Sequence, residues 1–492
     1  MTAKVFRDPV HDMIALERDD SRSGHDPIDW GDSMLLALID TAEVQRLRHI
    51  VQLGPAALVY PSAEHSRFAH ALGVMHLTKR MVRALLQLYP GWLSRQQILT
   101  VKVAALVHDI GHGPYSHLFE EVSANMPEHE AWGMRILAGD TTLHHTIDSH
   151  CQRLGLSEAA FMADLQAILG HQSVQSKPFG RQLIASQLDA DRMDYLLRDA
   201  HCTGVVYGRY DLEWLLHSLR IGLVNDQPHL CVDVTKGLTA LESYIVARDD
   251  MYRQVYDHKT VRAFEALIVH LLQTVQWYWQ QTGAMPPGTV PELARFLSSW
   301  YDQTAAHPIG HYLALDDVVL GYAMRHWATS LSQDHPALYE LRCKCRMLCN
   351  RQQIYRRLRW HQASASGHDS EWLESPETAD LVANWLQQRA EDLIDVTDLE
   401  GHHYQVPLRL LVYVDRLNRT PYSHQHYTVH AADPIYVMDQ SGAVRAAEQV
   451  SQRIHFLGQQ HRQFVRIFVD PRALQPITQL VASQWPYLLS AG

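Results

Sequence analysis

His108 and Asp109 stand at the end of an apolar run, in the string VAALVHDIGHGPYSH. A charged or ring-nitrogen group placed in such surroundings is costly unless it is paired or binds a metal. Neighbouring side chains on a regular helix point about 100° apart, but where a helix ends both can turn toward one ion. Imidazole beside carboxylate suits Mn²⁺, Fe²⁺, Ni²⁺ or Zn²⁺, with Mg²⁺ admissible on the carboxylate, better than a thiolate-seeking metal. His70, in HSRFAH, lies on the preceding helical segment, and Asp191 lies in LDADRMDYLLRD, where aspartates 189, 191, 194 and 199 interrupt an otherwise apolar pattern. His112, His117 and the pair His129–Glu130 follow closely on His108–Asp109 and supply groups that move protons near neutral pH.

These residues need rigid elements to hold them. Residues 34–50 read as helical with a break at Asp40–Thr41, and 70–88 and 95–109 show apolar spacings of three and four. The second of these ends at Gly111, a helix stop. Helical patterns continue over 129–138, 157–170 and 181–200. The sequence RIGLVNDQPHLCVDV then reads as a hairpin turning at Asn225–Asp226. Residues 237–282 return to helix, Pro286–Pro287–Gly288 marks a loop, and a further helical block runs to about Trp360. From about 405 the segments PLRLLVYVD, DPIYVMD and FVRIFVDP read as strands, with AAEQVSQRIHFL as a helix between the last two. The expected fold is mainly α: a helical body over 1–330 whose core spans about 45–200, a helical connector over 331–404, and a small α/β lobe over 405–492.

The 492 residues suffice for several domain-sized units, with ordinary globular composition. The first residues are charged and have no apolar h-region, and no apolar run is long enough to span a bilayer, so a cytoplasmic protein is expected. Six cysteines do not make a disulfide framework, and Cys343, Cys345 and Cys349 read as reduced thiols on a basic helix. A net charge of −11 disfavours a general nucleic-acid partner while leaving room for local basic pockets.

The succession RLRHIVQLGPAALVYPSAEHSRFAHALGV, HDIGHGPYSH, EHE, LDADRMDYLLRDAH and MYRQVYDHK resembles the HD-domain deoxynucleoside triphosphate triphosphohydrolases, strongly over about 1–280 and weakly in the C-terminal lobe. The family includes bacterial enzymes and a vertebrate one with an added sterile-alpha-motif domain, which is not expected ahead of a chain that opens at the catalytic unit. The resemblance implies an HD-domain helical core in which His70, His108, Asp109 and Asp191 ligate a divalent metal. It makes His112, His117 and His129 contacts to the α-phosphate or proton carriers, with Glu130 the acid beside them. Arg67, Arg192 and Arg248 are implied for the triphosphate, since guanidinium forks match phosphate oxygens. Gln52 and Leu53 are implied for sugar and base, Tyr195, Asp199 and Tyr256 for the deoxyribose wall, and Tyr252 for a place near the base and phosphates. Tyr256 would leave no room for a 2′-hydroxyl.

The resemblance extends to an allosteric site for a guanine-nucleotide activator (GTP or dGTP), with Lys4, Asp40, Gln45, Arg48 and Lys236 at its reading positions. Aspartate accepting from a guanine edge while Gln or Arg donates to O6 is sound hydrogen-bond chemistry. The same DxxxxQxxR pattern also fits a purely structural role in folding and oligomer contacts. Five departures stand out. Tyr252 replaces a histidine and Asp257 a glutamine of the vertebrate enzyme, Glu213 and Val234 fall where basic contacts are expected, and residues 17–33 form a longer, more acidic link. The basic stretch ELRCKCRMLCNRQQIYRRLRW could complete a phosphate site across a subunit boundary or lie on a solvated face.

The expected activity is hydrolysis of a dNTP to deoxynucleoside and triphosphate by a homo-oligomer, a dimer or tetramer, with no membrane partner. Two other readings remain. One is an HD phosphohydrolase of nucleoside monophosphates, cyclic nucleotides or single-stranded nucleic acid; the other is a catalytically silent nucleotide-sensing oligomer.

Overall fold

Helix Arg95–Val107 starts at a reciprocal cap: the Ser94 hydroxyl accepts from the Gln97 backbone, and the Gln97 side chain accepts from the Ser94 N–H. Ten consecutive residues from Ile98 to Val107 are buried, so the run is central by hydrophobicity, and packing rather than propensity keeps a segment with five β-branched residues helical. It delivers His108 and Asp109 to the interior and stops there, with Val107 its last helical residue. The computed structural model describes residues 3–18, 26–122, 126–170, 179–302, 308–331, 334–358, 376–398, 400–422 and 434–486.

The chain divides into two compact units. The first comprises residues 1–120, 127–256 and 420–460, the second 121–126, 257–419 and 461–492. This division does not coincide with boundaries at 331 and 405.

In the first unit, helix Arg67–Leu88 packs against both Arg95–Val107 and helix Ala190–Thr203. The last is capped by Asp189 at its N-terminus and closed by left-handed Gly204. Gly73 lets it approach: a Cβ there would lie 1.9 Å from Asp194 Oδ1 and 2.4 Å from an Arg198 guanidinium nitrogen. Gly73→Ala is therefore expected to cost about 1–3 kcal/mol by overpacking, measured as a lower urea midpoint. An unchanged midpoint would mean that the two helices separate freely. Gly111 is needed for the same reason rather than as a helix stop, because a Cβ would meet the His129 carbonyl oxygen at 1.9 Å.

The hairpin Leu219–Val224 and Gln227–Asp233 turns at Asn225–Asp226, both left-handed as a two-residue turn requires. Strand Tyr436–Met438, expected in a C-terminal lobe, instead runs parallel to Cys231–Asp233, with Val444–Ala446 outside it in a four-stranded sheet. An N-terminal hairpin, Ala3–Asp8 with Asp12–Glu17, also belongs to this unit. Of the acidic link at 17–33, residues 19–25 lie outside the described residues.

The second unit packs helix Lys259–Thr282 on helix Pro336–Cys349. Its three-stranded sheet is Arg356–Arg357, Arg462–Val469 and Val412–Arg419, and a separate hairpin joins Leu393–Thr397 to His403–Pro407. Trp277, Val382, Leu386, Val406, Leu410, Ile467 and Ile477 form its core.

Several expected elements are shorter than the sequence suggested. The helix expected over 181–200 is interrupted between Gln182 and Ala190, and that over 237–282 breaks between Met251 and Lys259, where Tyr252–Tyr256 form a widened π-type turn. The block expected to Trp360 ends as helix at Cys349, and Trp360 lies outside the described residues. Leu408–Leu410 form a tight turn before the strand begins at Val412. The basic helix is neither wholly solvated nor free. Lys344 is fully buried against Glu340 and the Leu410 carbonyl, while Arg342 and Arg346 reach Glu400. Among the described residues, no helix is long and apolar enough to cross a membrane.

Candidate active site

His70, His108 and Asp109 each bring a ligand atom to within 4.8 Å of the others. Asp191 closes the group from the first turn of helix Ala190–Thr203, its Oδ1 3.0 Å from His70 Nε2 and 3.6 Å from His108 Nε2. Both imidazoles are oriented from behind. His70 Nδ1 lies 2.8 Å from Asp194 Oδ2, and His108 Nδ1 lies 2.8 Å from the Ala105 carbonyl, the arrangement that holds Nε2 toward an ion. Asp194 is itself fixed by Arg198 and by His11, 2.7 Å away.

The electrostatics favour a cation at this point. Burial works against a charged His70, but its bonds to Asp191 and Asp194 outweigh that and lift its pKa to about 10. Burial likewise opposes ionisation of Asp109, yet the Arg67 and His108 charges hold its carboxyl well below the usual range. His108 Nε2 is buried and makes no hydrogen bond. Two imidazoles and two carboxylates, with one nitrogen that makes no hydrogen bond and has carboxylate oxygens 3.4 and 3.6 Å away, fit a borderline-hard divalent metal.

Beside this group lies a second. His112 and His129 stack with ring centroids 3.8 Å apart, and His117 stands edge-on to both at 4.9 and 5.0 Å. Glu120, which drew no attention in the sequence, faces His129 Nδ1 at 3.0 Å and His117 Nδ1 at 3.4 Å. Burial would raise its pKa, but the two imidazoles bring it down to about 2. Glu130 approaches His129 Nδ1 at 3.3 Å. His112 connects the two groups, its Nε2 3.4 Å from Asp109 Oδ1. Burial and the Arg67 charge keep its ring neutral.

Arg67 donates to Asp109 Oδ2 at 2.5 Å and to the Ser116 hydroxyl at 2.9 Å. Arg192 is held by Asp189, and its Nε is buried with no hydrogen bond. Arg248 is half-buried on helix Val234–Met251. The tyrosines meet edge-on, Tyr195 with Tyr256 at 6.0 Å and Tyr252 with Tyr256 at 5.0 Å. Tyr256 donates to Asp199 Oδ2 at 2.7 Å, while His65 Nε2 lies 2.8 Å from Asp199 Oδ1. Burial opposes charging His65, but Asp199 lifts its pKa to about 9. Gln52 and Leu53 sit in the loop whose backbone joins His65, and Gln52 Oε1 is a further buried acceptor without a donor.

A sequence profile described as the HD domain matches residues 67–199. A deoxynucleoside triphosphate triphosphohydrolase, SAMHD1 of Danio rerio, is 31% identical over 290 residues, which are 54% of this chain and 44% of that protein. An uncharacterized protein of Bacillus subtilis, YwfO, is 33% identical over 349 residues, 71% of this chain and 70% of that one. The chain belongs to the HD-domain dNTPase-like family. A crystal structure of a phosphohydrolase from Bacteroides thetaiotaomicron shares the fold of this HD-domain chain at a TM-score of 0.67 and 22% identity, covering 95% of this chain and 99% of that one.

In this HD-domain protein the five activator positions are less coherent than the active site. Gln45 donates to the Ile39 carbonyl and accepts from Arg48 Nε at 2.7 Å, and Arg48 lies 3.7 Å over the Phe68 ring. Lys4, Asp40 and Lys236 are exposed. Among the described residues, no hydrogen bond or ion pair joins them to Gln45 or Arg48. Glu213 pairs with Arg80, and Asp257 with Arg419.

Proposed function

We propose that this protein is a metal-dependent dNTP triphosphohydrolase. The observation that supports it best is the grouping of His70, His108 and Asp109 donor atoms within 4.8 Å, with Asp191 beside them, together with buried atoms that make no hydrogen bond: His108 Nε2, His112 Nδ1, Arg192 Nε and Gln52 Oε1. Such atoms are uncommon in native interiors and call for a specific reason. Here they lie on the residues that the family resemblance assigns to metal, phosphate and sugar.

His70, His108, Asp109 and Asp191 would hold the divalent ion, which when bound polarises a phosphoryl oxygen and acidifies a water molecule. Arg67, braced by Ser116, and Arg192 and Arg248 neutralise the triphosphate. Water attacks the α-phosphorus and the bond from that phosphorus to O5′ breaks, so triphosphate keeps the water oxygen. His117 or His129 passes a proton to the departing O5′ of the deoxynucleoside. Incubation with each dNTP and several divalent metals, with product separation, tests this: inorganic triphosphate is expected. Monophosphate or cleaved single strands as products would mean another HD phosphohydrolase.

Tyr256, pinned by Asp199, covers the sugar. A ribose hydroxyl against its ring loses water without a replacement bond, a cost of about 1–3 kcal/mol, so kcat/KM for dNTP over NTP is expected to be at least about tenfold. Tyr256→Ala is expected to narrow that ratio by admitting ribonucleotides. Equal wild-type rates on dGTP and GTP would refute the gate.

Activation is part of the same reading. GTP or dGTP stimulates hydrolysis of another dNTP through Lys4, Asp40, Gln45, Arg48 and Lys236, in a cytoplasmic homo-oligomer. Asp40→Ala is expected to remove a coupling of about 1–3 kcal/mol while metal content stays constant. A wild-type enzyme indifferent to guanine nucleotides would leave these residues a structural role.

A further inference from the structure

The second histidine group has the composition of a metal site in its own right. His112, His117, Glu120 and His129 each place one donor atom within 4.8 Å of the other three. Three imidazoles and one carboxylate match the number and kind of ligands of four-coordinate zinc. The rings are packed at centroid distances of 3.8–5.0 Å. At that spacing two protonated imidazoles repel one another, whereas neutral ones leave donor nitrogens close enough together for a single cation to reach.

A second observation points the same way. The His112 side chain is 2% exposed and its Nδ1 makes no hydrogen bond, while its Nε2 is directed to Asp109. His117, at 65% exposure, provides the entry route that a binding site needs. Glu120 supplies the negative charge, 3.0 Å from His129 and 3.4 Å from His117.

We propose that His112, His117, Glu120 and His129 form a second divalent-cation site, selective for zinc-like ions, whose occupancy switches the enzyme off. An imidazole whose lone pair is given to a metal no longer accepts or carries a proton, so His117 and His129 are lost as acids when the site fills. The binding half of this proposal stands on the cluster alone; the inhibitory half rests on the dNTP hydrolysis proposed above.

The test is zinc content after equilibrium dialysis of metal-stripped protein against Zn²⁺, for wild type, for the His117→Ala/Glu120→Gln double variant and for Glu120→Gln alone. The double variant is expected to bind about one equivalent less than wild type, as befits loss of two of four ligands. The comparison by difference cancels any zinc taken by the exposed Asp398, Glu400 and His402. Glu120→Gln keeps the side-chain shape, so it reports on the site if the double variant does not fold. It is expected to weaken the same equivalent, and Co²⁺ absorption in place of Zn²⁺ is expected to lose its four-coordinate component. Equal zinc in folded wild type and variants overturns the site. With each protein referred to its own zinc-poor rate, excess Zn²⁺ is expected to suppress wild-type dNTP turnover and to spare Glu120→Gln. Zinc bound at the cluster with turnover unchanged overturns the switch. If no dNTP is hydrolysed under any condition, the function proposed above has failed, while the stoichiometry still decides the site.

Discussion

Protein carrying both His108→Ala and Asp109→Ala is expected to hold no metal at the HD centre and to release no triphosphate. The centre has four donors, and only His70 and Asp191 would remain, too few for a stable divalent site. The loss reaches further, because Asp109 also anchors Arg67 at 2.5 Å and faces His112 at 3.4 Å. Removing it frees a buried guanidinium that is proposed to meet the phosphates. His108→Ala alone separates these effects: it takes one ligand and leaves the Arg67–Asp109 pair intact. His108 ends its helix rather than bearing its packing, so His108→Ala is expected to stay folded, whereas the double variant leaves the buried Arg67 charge unpaired and is expected to be less stable. Elemental analysis, product chromatography and circular dichroism on the same samples check this. A full metal equivalent with undiminished turnover would remove the HD pair from the mechanism.

Replacing His117 or His129 with alanine is expected to lower kcat by about 10²–10⁴ with the HD centre still loaded, the usual penalty for a lost general acid. The two variants probe different environments. His129 is stacked on His112 and bonded to Glu120, so its removal also disturbs its neighbours. His117 is mostly exposed, so its effect reads more directly as chemistry. A bell-shaped pH profile that loses one limb in either variant would identify the proton donor. Wild-type kcat in both would place that donor elsewhere.

The four residues proposed to hold the metal stood out in the sequence because each breaks an apolar helical pattern in a way that only pairing or ligation can repair. Asp191 was legible for that reason although it lies far along the chain from His108. Glu120 was not, since one carboxylate in a short turn carries no periodic signal. Its position three residues after His117, on the same face of a turn, was the only clue. His65 was hidden by its place in a loop, and its role depends on Asp199 being brought to it by tertiary packing. The hairpins at Ala3–Glu17 and Leu393–Pro407 escaped because short half-exposed strands alternate only weakly. Strand Tyr436–Met438 shows the opposite failure: its β character was plain, but propensity says nothing about which sheet a strand joins.

That strand has a consequence for how the protein is made. A ribosome delivers the chain from its N-terminus, and the hairpin edge at Cys231–Asp233 emerges about 200 residues before the strand that pairs with it. At translation rates of about 5–20 residues per second, the interval is about 10–40 s. Throughout it the edge offers unpaired backbone donors and acceptors to any neighbouring chain. Nascent chains on one polysome carry that edge side by side, so yield in the cell depends on whatever shields it until Tyr436–Met438 has been made.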